Sequence, residues 1–132
     1  MTAPSASEKI IVDSSGWIEF LGEGSKADAF GAYLNSQEQV LLLPSIIVFE
    51  VYKKLYRERG KGLADRFFSH AVTYGDRLIP LNLELSVKAA IESADNHLPM
   101  ADAIIYVTAQ HHRARLVTSD AHFANLPGVT II

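Results

Sequence analysis

Four carboxylates stand where a charge is expensive. Asp13 follows the apolar run Ile10–Val12, and Asp120 follows "RLVTS". Glu50 lies inside "SIIVFEVYKKL", flanked by Ile46, Ile47, Val48, Phe49, Val51 and Tyr52, and Asp102 sits in "LPMADAIIYVTAQ" with apolar residues around most of the helix that this stretch predicts. Each has an ordinary alternative. An Asp after a strand can cap a helix, Glu50 can pair with Lys54 one turn on for a few tenths of a kcal/mol, and an acid in a first helical turn gains ~0.3–1 kcal/mol from the helix dipole.

The four together call for a different chemistry. Two bare carboxylates ~5 Å apart repel by roughly 3 kcal/mol at an effective dielectric of about 20. A group of four must therefore take up protons or hold a counter-charge. No Lys or Arg is an obvious permanent partner for all of them, so a divalent cation is the natural solution. All-oxygen ligation points to Mg²⁺ or Mn²⁺ rather than zinc.

Such a cluster needs elements that bring distant residues together. "KIIVD", "VLLL", "RLIPL", "RLVTS" and "VTII" are Val, Ile and Leu-rich runs without clean alternation, the pattern of strands buried on both faces of a parallel sheet. Between them lie "SGWIEFL", "KADAFGAYLNSQ", "SIIVFEVYKKLYRER", "GLADRFFSHAV", "LELSVKAAIESADNH" and "MADAIIYVTAQHHR", each long enough for a helix. Ser45 is the expected N-cap of the third, and Pro99 separates the fifth from the sixth. This alternation predicts a three-layer α/β/α fold around a mainly parallel sheet of about five strands. In such sheets ligands bind beyond the carboxyl ends of the strands, where Asp13 and Asp120 stand.

Composition agrees with one domain spanning residues 1–132, with residues 1–8 expected to be a mobile N-terminus. The 132 residues contain no cysteine, which excludes disulfides and thiolate metal sites. No apolar run approaches the roughly 18 residues of a membrane span, and "MTAPSASEK" lacks a signal-peptide core. The expectation is a cytoplasmic protein with no membrane partner. The net charge is −3, yet Lys53, Lys54, Arg57, Arg59, Lys61 and Arg66 supply half of the 12 Lys and Arg. This basic segment could guide nucleic-acid phosphates, or it could be a solvated helix face. Trp17, Phe20 and Leu21 follow Asp13 at helical spacing and read as core, Asp95 reads as a solvated helix-end residue, and His111 and His112 suit a helix C-terminus.

With these motifs in place, the chain resembles the PIN-domain ribonucleases, and among them the VapC-type toxins of toxin–antitoxin systems. The resemblance runs from Ile10 to Ile132. It rests on Asp13 with Ser15 in "IIVDSSGWIEFL", Glu50 in "LPSIIVFEVYKKL", Asp102 in "LPMADAIIYVTAQ", and Asp120 with Thr118 and Phe123 in "LVTSDAHFANLPGV". What it implies is a Mg²⁺- or Mn²⁺-dependent endoribonuclease that leaves 5′-phosphate and 3′-hydroxyl ends. Asp13, Glu50, Asp102 and Asp120 would be the catalytic and metal residues, with Ser15 and Thr118 holding carboxylates. An antitoxin protein and a second copy of the chain would be its partners, with Leu55, Leu63, Phe67 and Phe68 available to either. An RNA-processing nuclease without an antitoxin and an inactive binding module of the same fold remain open. A phosphoacceptor receiver domain is disfavoured because Val12, not an acid, precedes Asp13. One departure stands out: many relatives carry an acid two residues beyond the fourth, where this chain has His122. A solvent-facing or hydrogen-bonding role is the preferred reading of His122, with ligation by a neutral imidazole as the alternative.

Overall fold

The computed structural model describes residues 7–132. Its five strands are β1 (Lys9–Val12), β2 (Val40–Pro44), β3 (Leu78–Ile79), β4 (Arg115–Thr118) and β5 (Val129–Ile131). They form one parallel sheet in the order β3-β2-β1-β4-β5. Ile10, Ile11, Val12, Leu116 and Val117 have no exposed surface, because the central strands β1 and β4 are covered on both faces. That explains the unbroken apolar runs. β3 is shorter than "RLIPL" suggests, since Pro80 has no N–H to continue a ladder.

Six helices connect the strands: α1 (Ser14–Leu21), α2 (Ala27–Leu34), α3 (Ser45–Arg59), α4 (Lys61–Val72), α5 (Leu83–Asn96) and α6 (Met100–His111). Right-handed crossovers place the β1→β2→β3 connections on one face of the sheet and the β3→β4 connection on the other. Helix packing agrees, with α1 against α2 and α3, α3 against α4, and α5 against α6. This is the expected three-layer α/β/α arrangement.

Local details differ from the sequence reading in instructive ways. Ser45 is the first helical residue and not a cap: β2 runs directly through Pro44 into α3, leaving no position for a capping side chain. α5 does receive a side-chain cap, with Asn82 Oδ1 accepting from Leu85 N at 2.8 Å. It ends at His97 in the left-handed conformation (φ 56°), before Pro99 is reached. Residues 1–6 of the expected mobile N-terminus lie outside the described residues. Glu8, at its inner end, is tethered: its carbonyl accepts from Val40 N at 2.8 Å, and its carboxylate pairs with Arg115 Nε at 3.2 Å.

Trp17 is buried against Phe67 and Tyr74, as its helical spacing from Asp13 predicts. Leu55 and Phe67 also belong to this core, so neither is free to meet a partner. Gly16 matters for the site: a Cβ there would stand 2.5 Å from Phe30 Cδ1 and from Val12 Cγ1. Only a glycine lets the first turn of α1, which follows Asp13 directly, lie this close to β1.

Candidate active site

β1 and β4 are the strands at which the sheet order reverses, and their carboxyl ends open the crevice where α/β sheets bind ligands. Asp13 follows β1 and Asp120 lies two residues beyond β4. Glu50 comes from the second turn of α3, and Asp102 from the first turn of α6. All four line one open cleft of about 380 Å³. Residues from four separate elements, far apart in the chain, thus share one site. Asp95 is exposed on α5 and lines no part of it.

Asp13 is almost wholly buried, at 2% exposure. It stands at the cap position of α1 but makes no side-chain cap bond. Its carboxylate is instead held from β4 and α1. The Thr118 hydroxyl donates to Oδ2 at 2.7 Å, and the Ser15 hydroxyl donates to the same oxygen at 3.1 Å. Thr118 Oγ1 in turn accepts from Asp120 N at 2.9 Å. The fully buried Thr118 therefore ties the backbone before Asp120 to the side chain of Asp13, a coupling across two adjacent strands. Burial raises the Asp13 pKa above its ordinary value, with the Thr118 bond opposing the shift.

Glu50 is treated differently. Its Oε1 is buried with no hydrogen-bond partner. Lys54, the expected pairing residue, lies 3.9 Å from Glu58 instead. Burial raises the Glu50 pKa, the Ser14 hydroxyl opposes this, and the charges of Asp13, Asp102 and Asp120 add to the rise. Asp102 is raised by burial and by Asp120, with His122 acting in the other direction. These shifts express one condition: the acids repel one another in a partly desolvated place.

His122 lies within this group. Its Nδ1 stands 2.9 Å from Asp102 Oδ2 and 3.2 Å from Asp120 Oδ1. Its backbone N–H donates to Asp120 Oδ1 at 2.9 Å, closing the 3₁₀ turn Ala121–Phe123. Asp120 thus performs the capping role as well as lining the cleft. The hydrogen bond to Asp102 raises the His122 pKa above its ordinary value, and the Asp120 charge adds to it. Hydrogen bonding is what the sequence favours for this residue; what sequence reasoning does not supply is that the partners are two site acids. Ser14 is a second residue that it passes over, although the doubled serine after Asp13 is a signal that could have found it.

One wall of the cleft is basic. Lys53, Lys54 and Arg57 line it beside Glu50. Lys61 and Arg66 belong to α4 and do not line the cleft, and Lys61 pairs with Asp65. On the other side of Phe49 and Lys53 lies an apolar groove of about 480 Å³ that also includes Val48, Tyr52, Asp65 and Phe68.

The parallel α/β fold gathers these acids at its switch point, beyond the carboxyl ends of β1 and β4. Among the described residues, Asp102, Asp120 and His122 bring ligand atoms within 4.8 Å of one another, as one divalent ion requires, whereas Asp13 and Glu50 line the same cleft outside that group, Glu50 Oε1 buried without a partner. The PIN domain family profile matches residues 10–129, and the chain belongs to that family. No curated protein matches the sequence. Among solved structures, a toxin–antitoxin complex from Klebsiella pneumoniae is 20% identical with a TM-score of 0.71, over 92% of this chain and 95% of that one. Mycobacterium tuberculosis VapC20, a sarcin–ricin loop cleaving toxin, is 16% identical with a TM-score of 0.72, over 91% and 96%. Rickettsia felis VapBC2, bound to a fragment of promoter DNA, is 13% identical with a TM-score of 0.71, over 94% and 97%. Across these low identities the likeness is one of fold.

Proposed function

We propose that the chain is a divalent-metal-dependent endoribonuclease of the VapC type, the toxin of a toxin–antitoxin pair. The observation that carries this reading is a single cleft with four carboxylates on one side, including the orphaned Glu50 Oε1, and Lys53, Lys54 and Arg57 on the other. Asp13, Asp102 and Asp120 would hold Mg²⁺ or Mn²⁺, with Glu50 holding it as well or acting as base toward the attacking water. When bound, such an ion supplies Lewis-acid polarisation of a phosphoryl oxygen and acidification of water. Thr118 and Ser15 keep the Asp13 carboxylate in one orientation, so no reorganisation is needed at the moment of reaction. The three cations of α3 draw the RNA backbone to a mouth that would otherwise repel it.

The test is cleavage of a structured RNA by purified protein in Mg²⁺, with chelator and with Asp102→Asn. Cleavage leaving 5′-phosphate ends, lost in both controls, supports the reading. Cleavage that persists in either control overturns it.

An antitoxin is the proposed occupant of the groove beside the cleft. Support comes from the toxin–antitoxin complexes among the structural neighbours and from the exposure of Phe49 (60%) and Phe68 (53%) along it. A segment seated there would reach Lys53 and the cleft mouth. Co-purification with the product of the adjacent reading frame, lost in Phe68→Glu, tests this. The chain is further proposed to work in the cytoplasm as a homodimer. Among the described residues no helix is long and apolar enough to cross a membrane. On α5, Leu83, Val87 and Ile91 form an exposed apolar stripe at successive turns. Sedimentation of the protein and of Val87→Glu tests the dimer.

A further inference from the structure

We propose that His122 is a nitrogen donor to the ion in the acidic cleft and biases that site toward first-row transition ions, Mn²⁺ among them, over Mg²⁺. The inference rests on the metal-dependent reading above and specifies the ion. Three observations lead to it. Nδ1 of His122, a carboxylate oxygen of Asp102 and one of Asp120 all lie within 4.8 Å of one another, close enough for one ion to meet all three. The His122 side chain is 60% exposed, so the ring has no core to support. Its neighbour Phe123 is fully buried and anchors the turn, which holds the ring against Asp102 and Asp120 at the rim of the cleft.

The orphaned Oε1 of Glu50 points independently to a cation in the same cleft. A buried carboxylate oxygen without a donor is costly unless something positive completes it. Donor chemistry then decides which cation. Carboxylate oxygens alone suit Mg²⁺, a small hard ion that keeps its waters, whereas an imidazole nitrogen adds affinity for transition ions and little for Mg²⁺. Replacing an oxygen donor by His122 therefore changes the ratio of affinities more than their sum.

The experiment uses the full chain with Mn²⁺ and Mg²⁺ as probes. Calorimetric titrations compare wild type, His122→Ala, His122→Asp and Asp102→Asn. Pulsed electron paramagnetic resonance of bound Mn²⁺ reports whether a nitrogen is coordinated. The expected result is nitrogen modulation in wild type and none in either His122 variant. The Mn²⁺ preference over Mg²⁺ should fall by about tenfold in His122→Asp, the lower end of what altering a metal site's supporting groups costs. His122→Ala should lose Mn²⁺ affinity without gaining Mg²⁺ affinity. Mn²⁺ bound without nitrogen modulation, at a site that Asp102→Asn abolishes and with the same preference in all His122 variants, overturns the role of His122 alone. Failure of wild type to bind either ion, or binding untouched by Asp102→Asn, overturns the metal-dependent reading and this inference together.

Discussion

Asp13 and Glu50 share a cleft but are held in opposite ways. Asp13 is locked by hydroxyls from α1 and β4, and one of these, Thr118, also accepts from the backbone of Asp120. Glu50, on a helix that arrives from β2, has a buried oxygen with no donor at all. The difference separates two ways of building a site. Asp13 is placed by the protein's own hydrogen bonds, whereas, among the described residues, the protein supplies no donor to Glu50 Oε1. Under the proposed metal-dependent reading, the first acid supplies a fixed ligand and the second an oxygen still open to an ion.

The largest expected effect tests whether the locked acid is also the working one. Asp13→Asn keeps the shape and most hydrogen bonds but removes the charge. It should lower RNA cleavage on the order of 10³-fold or more, since a site cation contributes several kcal/mol to the transition state. Single-turnover cleavage with melting temperature measured alongside checks this. Activity within tenfold of wild type would leave Asp13 a structural acid.

Next comes the lock itself. Thr118→Val preserves volume but removes the donor to Asp13 and the acceptor for Asp120 N. It should cost about 1.5–3 kcal/mol in urea unfolding, the scale of a hydrogen bond to a charged group. Ser14→Ala removes a long 3.4 Å bond to Asp13 Oδ1 and should cost less, about 0.5–1 kcal/mol, the lower part of the range for one hydrogen bond. Equal losses would erase the contrast between the two hydroxyls.

The basic wall beside Glu50 predicts a smaller change. Lys53→Gln and Arg57→Gln should each flatten the salt dependence of RNA binding, by a slope of ~0.7 for each single-strand phosphate no longer neutralised. Binding measured from low to high salt reads this directly. Unchanged slopes would make these residues a solvated helix face.

The smallest effect is in stability against pH, and its sign is specific. The folded chain holds protons on Glu50 at pH values where the unfolded chain has released them, because the folded pKa lies above the ordinary 4.5. Above that value the unfolded state binds fewer protons, so this group's contribution to stability falls as pH rises through the window above 4.5. Glu50→Gln should therefore be more stable than wild type in metal-free buffer near neutrality, and the gap should close on acidification. Mg²⁺ should narrow the gap by stabilising only the charged form. Denaturant titrations with chelator and with Mg²⁺ decide this, and a gap that widens toward acid would contradict the burial of Glu50.

The sheet and the four acids were legible in the chain for the same reason. Apolar runs such as "KIIVD" and "RLVTS" show strands buried on both faces, and a carboxylate in or just after such a run is visible by contrast. Glu50 and Asp102 were legible as charges among apolar helical neighbours. Less legible were features that depend on who is nearby. Leu55 and Phe67 look like Phe68 in sequence, yet the first two are core and the third is exposed, because α3 and α4 pack on each other along one stripe only. Ser45 looks like a cap and is not, because no loop separates β2 from α3.

By itself, then, the order of residues determined the parallel α/β layering and the end of the sheet at which chemistry would gather, since hydrophobic periodicity and charge are local properties of the chain. Only the tertiary structure decided how the acids are partnered. Thr118 reaches Asp13 across 105 positions, and His122 reaches Asp102 across 20. Hydrogen bonds of this kind depend on the register of β4 against β1 and on where α6 enters the sheet's edge, geometry that no local pattern encodes.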